Sequence, residues 1–110
     1  MANTFKLKTI ANVGVSTVGI YTVPAATATV VIGITLANTS GSGVNVGIGI
    51  TRAGATEDVK LLKNAPIPQG SSLEFMAGNK VVLETTGDTL TVDSDTNNSI
   101  DAALTIMEIT

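Results

Sequence analysis

The side chains best suited to chemistry in this sequence are carboxylates and hydroxyls, because it contains no histidine and no cysteine. Zinc and most transition-metal sites lose their usual ligands on that ground. Calcium needs only oxygen, and Asp93-Ser94-Asp95-Thr96-Asn97 sets acids at alternating positions as a calcium loop begins. Asn98 then stands where that loop needs glycine, and Leu104 where it needs a bidentate glutamate. The stretch therefore reads as an Asx-rich turn between two strands. Ser71 and Ser72 have no histidine to act as base and no organised pairing with Lys63. Glu74, Glu84, Asp88 and Glu108 could supply paired carboxylates for glycoside hydrolysis. With aromatics at 3%, however, the chain offers a sugar little to stack on. Gly41-Ser42-Gly43 lacks the lysine and following helix of a phosphate cradle. The expectation is a non-enzyme with no catalytic residue, no metal and no cofactor.

What must position these groups is a set of short strands. Ala28–Arg52 is the organising stretch, two runs joined by Asn38-Thr39-Ser40-Gly41-Ser42-Gly43. Ala28, Val30, Ile32, Ile34 and Leu36 alternate with smaller residues in the first run, and Val44, Val46, Ile48 and Ile50 do so in the second. A period of two predicts half-buried strands, and the polar linker has the composition of a hairpin loop. Pairing Leu36 with Val46, Ile34 with Ile48 and Ile32 with Ile50 puts both apolar sets on one face. The opposite face then carries Gly33, Thr35, Gly47 and Gly49, flat and without charge. Glycine in a strand interior reads either as a weak solvent face or as a site where another backbone or subunit comes close. On the second reading these four residues form a subunit interface, and Gly49→Lys is expected to block assembly without unfolding the monomer.

Further strands are predicted at Thr4–Ile10, Val18–Val23, Asp58–Lys63, Leu73–Met76, Lys80–Glu84, Thr89–Asp93 and Ser99–Ile109. In the first, Phe5 and Leu7 oppose Lys6 and Lys8, which suits a sheet edge guarded by lysines. Loops are predicted at Ala53–Glu57, Pro66–Ser72, Ala77–Asn79 and Asp95–Asn98, with Pro66 and Pro68 read as a firm break. No segment carries a helical apolar stripe. The expected fold is all-β: a single antiparallel β-sandwich or jelly-roll-like domain of about 8–9 short strands over residues 1–110.

Composition narrows the partners. The chain is 44% hydrophobic but only 14% charged, which suggests that other subunits cover part of its surface. Its net charge is −3 and its six cations are scattered, so nucleic acid is not an expected partner. The longest apolar run, Val30–Leu36, falls far short of a membrane span, and no membrane is expected. Met1–Lys6 has no apolar signal core, so synthesis in a bacterial cytoplasm without a cleaved signal is expected.

Several segments carry a family resemblance along nearly the whole chain. They are Met1–Thr9, Tyr21–Ala25, Val31–Asn38, and Leu62–Glu74 around Ala65-Pro66-Ile67-Pro68-Gln69-Gly70-Ser71-Ser72-Leu73. Val82-Leu83-Glu84 with Gly87-Asp88, and the ending Ile106–Ile109, belong to the same set. The chain resembles small β-sandwich virion proteins of tailed bacteriophages, especially those of marine cyanobacteria and other marine bacteria. The shared motifs are turn and strand signatures, so no functional residue is carried over. The resemblance implies a structural role in the virion, foremost as a capsid decoration (cement) protein bound to the major capsid protein. A tail, baseplate or fibre component is the alternative. Such a protein is expected to form a homo-trimer or another homo-oligomer. A carbohydrate- or receptor-binding sandwich, using the loops Asn38–Gly43 or Asp93–Asn98, is a further reading.

Overall fold

In the computed structural model, residues 2–54, 58–75 and 81–110 are described, and they form nine strands and no helix. The strands are β1 (Asn3–Val13), β2 (Val18–Thr22), β3 (Ala28–Asn38), β4 (Val44–Thr51), β5 (Asp58–Ile67), β6 (Ser72–Phe75), β7 (Val81–Leu83), β8 (Thr89–Ser94) and β9 (Ile100–Ile109). Among the described residues no helix is long and apolar enough to cross a membrane. The expected turn at 77–79, and the ends expected at Met76 and Lys80, lie outside the described residues, as does most of the expected loop 53–57.

Two antiparallel sheets form a sandwich. One runs β1-β9-β3, with β6 and β7 sharing the far edge of β3; the other runs β2-β8-β4-β5. Among the described strands only β4–β5 and β6–β7 are consecutive in one sheet, and every other connection crosses the sandwich, a jelly-roll-like path. The core is where the two inner faces meet. Ile34, Leu36, Leu104 and Ile106 from one sheet pack with Val46, Ile48, Leu90 and Val92 from the other, each 0–2% exposed. Removing each such side chain from water stabilises the fold by about 1.5–3 kcal/mol.

The expected hairpin is corrected here. β3 pairs with β9, and β4 pairs with β8 and β5, so the two central runs lie in different sheets. Their apolar stripes face each other across the core instead of lying side by side. The linker is an arch, turned by Asn38. The amide of Asn38, nearly buried, donates to the carbonyls of Ser42 (2.8 Å) and Ile67 (3.0 Å), and its Oδ1 accepts from the N–H of Ser40 (2.9 Å). The phase of β3 is corrected too. A bulge between Val31 and Gly33 shifts the register, so Thr29 and Val31 point inward where Val30 and Ile32 were expected.

Pro66 does not break the chain as expected. β5 runs through it to Ile67, with Pro66 opposite Asn45. The strand lies at a sheet edge, where a missing N–H deprives no second neighbour. Asp88, one of the candidate carboxylates, is 1% exposed and ties several turns together. Its carboxylate accepts the N–H groups of Ala53 (2.9 Å) and Thr85 (3.2 Å) and pairs with Arg52 Nε (3.2 Å).

Asn38→Ala removes a side chain that satisfies both sides of the arch. It is expected to lower stability by about 1–3 kcal/mol, read as a lower urea midpoint with an unchanged denaturant slope.

Candidate functional site

Because strands alternate sides, each sheet presents an outer face, and the two outer faces differ in chemistry. The expected interface residues are divided between them. Gly33 and Thr35 sit on the outer face of the β1-β9-β3 sheet, and Gly47 and Gly49 on the outer face of the β2-β8-β4-β5 sheet. The structure therefore brings together Gly33 with Thr35, and Gly47 with Gly49, but not the four as one surface.

The second of these faces is occupied by the chain's own charges. Gly47 and Gly49 are buried. Lys60 Nζ lies 3.0 Å from Asp58 Oδ2 and 3.4 Å from Asp93 Oδ2, and Thr17 Oγ1 donates to Asp93 at 3.1 Å. A Cβ on Gly47 would stand 2.5 Å from Asp93 Oδ1. One on Gly49 would meet Asp58 Oδ2 at 2.9 Å, and Thr91 Oγ1 and the Val59 carbonyl at 3.1 Å. Close approach over these glycines is real, but what approaches is a salt-bridged cluster of the same chain. Gly49→Lys would disturb the monomer itself, contrary to expectation. The hydrogen bond from Lys60 raises its own pKa. Burial works against the charge on Asp58, but the bonds from Lys60 and Thr51 outweigh it and hold that carboxyl below its ordinary value. The acids of the expected turn are likewise engaged, Asp93 as above and Asp95 by the N–H of Asn45 (3.1 Å).

The other outer face is apolar, because β1 has the sidedness opposite to ordinary expectation. In its first half the lysines lie on the inner side and Phe5 and Leu7 on the outer, while Ile10 and Val13 further along pack with the core. Phe5 is 69% exposed and Leu7 65% exposed. Phe5 lies beside Met107, Met107 beside Val30, and Val30 beside Val82, which is 59% exposed. These four residues form one ridge across four strands. Next to it the same face is made of small residues, with Ala103 between Thr9 and Thr35, and Thr105 between Leu7 and Gly33. The small residues leave two shallow hollows of about 350 and 330 Å³. Along the paired rows the acids lie on the hollow side of the ridge, Glu74 on β6 in the row of Thr35 and Asp101 on β9 in the row of Ala37.

On the inner side of β1, the half-exposed Lys6 joins a polar network between the sheets. Glu108 is 6% exposed. Its Oε2 accepts the Tyr21 hydroxyl at 2.5 Å, and its Oε1 pairs with Lys6 Nζ at 2.9 Å. The Tyr21 proton is committed to Glu108, so Thr29 Oγ1, 2.8 Å away, donates to the Tyr21 oxygen. Tyr21 belongs to one sheet and its three partners to the other, so the network bolts the layers together. The hydrogen bonds from Tyr21 and Lys6 hold the Glu108 carboxyl below its ordinary value. Burial, then the Glu108 hydrogen bond, pushes the Tyr21 phenol up to about 12.

No family model matches this chain, and no curated protein matches it in sequence. Solved structures share its fold. A chain of the acid-stable capsid of Helicobacter pylori bacteriophage KHP30 superposes with a TM-score of 0.59 at 10% identity, covering 100% of this chain and 89% of that one. A chain of the cyanophage Pam1 capsid asymmetric unit does so with a TM-score of 0.54 at 11% identity, covering 96% and 83%. A chain of the Bacillus endospore appendages, a family of disulfide-linked pili, gives a TM-score of 0.55 at 16% identity, covering 100% and 91%. The chain thus has an all-β sandwich fold that also occurs in phage capsid chains and in a pilus chain.

The two faces predict opposite responses to one methyl group. Gly49→Ala should cost about 1–3 kcal/mol through overpacking. Gly33→Ala, whose Cβ would find its nearest neighbour at 3.6 Å, should be neutral or stabilising by up to about 1 kcal/mol. Thermal unfolding of the two variants checks this.

The network predicts a stability plateau with two edges. Glu108 and Asp88 have folded pKa values below their ordinary 4.5 and 3.8, so their contribution is complete above those values and lost as pH falls through the folded ones. For Asp88 burial opposes ionisation, but the N–H groups of Ala53 and Thr85 and the Arg52 charge outweigh it. The neutral Tyr21 phenol contributes fully below pH 10.0, and that contribution is lost as pH rises towards about 12. Melting temperature followed by circular dichroism should fall at both ends. Glu108→Gln should shrink the acid fall. Tyr21→Phe should shrink the alkaline fall and cost about 1–3 kcal/mol at neutral pH.

Proposed function

We propose that this chain is a structural protein of a bacteriophage virion, a decoration (cement) protein on the capsid surface that binds and stabilises the shell of the major capsid protein. The observation that carries this reading is the fold likeness to phage capsid chains, which extends over 100% of this chain and 89% of the KHP30 chain. The chemistry of the chain supports it. Its acids serve as ties between turns and layers: Asp88 holds turns, Glu108 joins sheets, and Asp58 and Asp93 clamp Lys60 over β4. Among the described residues no group of acids is placed to hold a metal ion. On this reading the protein acts by contact alone, without cofactor, nucleic acid or membrane, and works as a homo-oligomer.

A second reading, a tail, baseplate or fibre subunit, is favoured by the likeness to the Bacillus appendage chain. This chain has no cysteine, so a disulfide linkage between subunits is closed to it. Glycan binding has less behind it. Of the polar side chains in its two loops, Asn38, Asp93 and Asp95 are engaged within the chain.

Cryo-electron microscopy of the particle whose genome encodes this chain tests the proposal. Density for the chain at many symmetry-related positions over the shell is expected. A few copies confined to the tail would select the second reading, and absence from the particle would overturn both.

A further inference from the structure

We infer that the outer face of the β1-β9-β3 sheet is the surface by which two copies of this chain associate, stacked face to face about a twofold axis. The inference deepens the reading of the chain as an assembling structural subunit and rests on it.

The first support is relief. The ridge of Phe5, Met107, Val30 and Val82 crosses one half of the face, and the hollows beside Ala103 and Gly33 occupy the other. A twofold axis between ridge and hollows seats the ridge of each copy in the hollows of the other. A closed twofold interface requires this self-complementarity. Gly33 and Thr35, named from sequence as interface residues, then form the floor of the receiving half.

Charge supports the same orientation. The acids of this face, Glu74 and Asp101, lie at its hollow end, while Lys6 on β1 is drawn inward to Glu108. Stacking two copies in the same direction would set acid over acid. The twofold arrangement separates like acids along the strands, Asp101 from its copy by roughly 25 Å and Glu74 from its copy by roughly 13 Å, both beyond the Debye length of about 8 Å at physiological salt.

Area supports it as well. Four strands about 4.8 Å apart, over a length of about 30 Å, give roughly 600 Å² before side-chain relief is counted. A standard stable interface buries about 800 Å² per partner. Exposed apolar patches of more than a few hundred Å² are rare on monomers. The face therefore approaches the area of a stable pair, and its ridge is an exposed apolar patch.

The test is sedimentation velocity on the purified protein at concentrations up to about 100 μM, above the dissociation constant of even weak specific complexes. Wild type is expected to sediment as a dimer. Phe5→Lys, which charges the ridge, and Ala103→Arg, which fills a hollow, should each sediment as a folded monomer, with association weakened at least tenfold. Val59→Lys, on β5 of the other sheet, should leave the dimer unchanged. Circular dichroism checks the fold of each variant, and the two lesions on separate strands keep the test decisive if one fails to fold. A wild-type monomer throughout the range, or dimers that survive both substitutions, would overturn the inference. A wild-type monomer that decorates shells, and loses that binding with Phe5→Lys, would hand the face to a shell protein. The twofold pair would then fall and the virion reading would stand. A dimer broken by both substitutions, from a chain absent from the particle, would do the reverse.

Discussion

Everything in this fold depends on two apolar inner faces being pressed together. Each sheet has one greasy side, and neither can be left in water, so the layers exist only as a pair. That is why most connections cross from one sheet to the other. A chain that alternates between layers builds both at once and closes the core from several directions. It also explains the investment in Asn38 and Asp88. A crossing connection leaves backbone groups at the rim without ladder partners, and these two buried side chains supply the missing bonds.

The Tyr21–Glu108–Lys6 network does something different. A carboxylate in an apolar interior is costly unless paired and hydrogen-bonded, and here it has both a phenol and an ammonium. Its structural effect is on β1. Holding Lys6 inward fixes the phase of the edge strand, and because side chains alternate, that phase turns Phe5 and Leu7 outward. An ion pair at the rim of the core, its Lys6 end half exposed, therefore goes with the outward turn of Phe5 and Leu7.

The two outer faces show the result. On one, glycines in β4 make room for Asp58, Lys60 and Asp93 to lie flat over the strand, and the charges finish the surface for water. On the other, polar finishing is absent from the ridge, and the acids keep to one end. The contrast is one of finish: one face is covered by the chain's own paired charges, and on the other an apolar ridge stays exposed.

Much of the fold class was readable from spacing alone. Nine strands, their antiparallel arrangement in a sandwich and most of their bounds follow from alternation and turn residues, because period-two burial is a local property. The burial of Val44, Val46, Ile48 and Ile50 was legible for the same reason. Partner choice was not. Two strands that bury one side each are as well suited to face each other across a core as to pair in one sheet, and only the assembled topology separates β3 from β4. The phase of β3 was lost to a bulge that no residue type announces. Gly47 and Gly49 marked a close approach correctly, but a glycine shows that room is needed, not who takes it. Alternation set Phe5 and Leu7 opposite Lys6 and Lys8 but did not tell which side turns inward. That is fixed only once β1 and β9 have paired and Lys6 lies beside Glu108, 102 residues further along the chain.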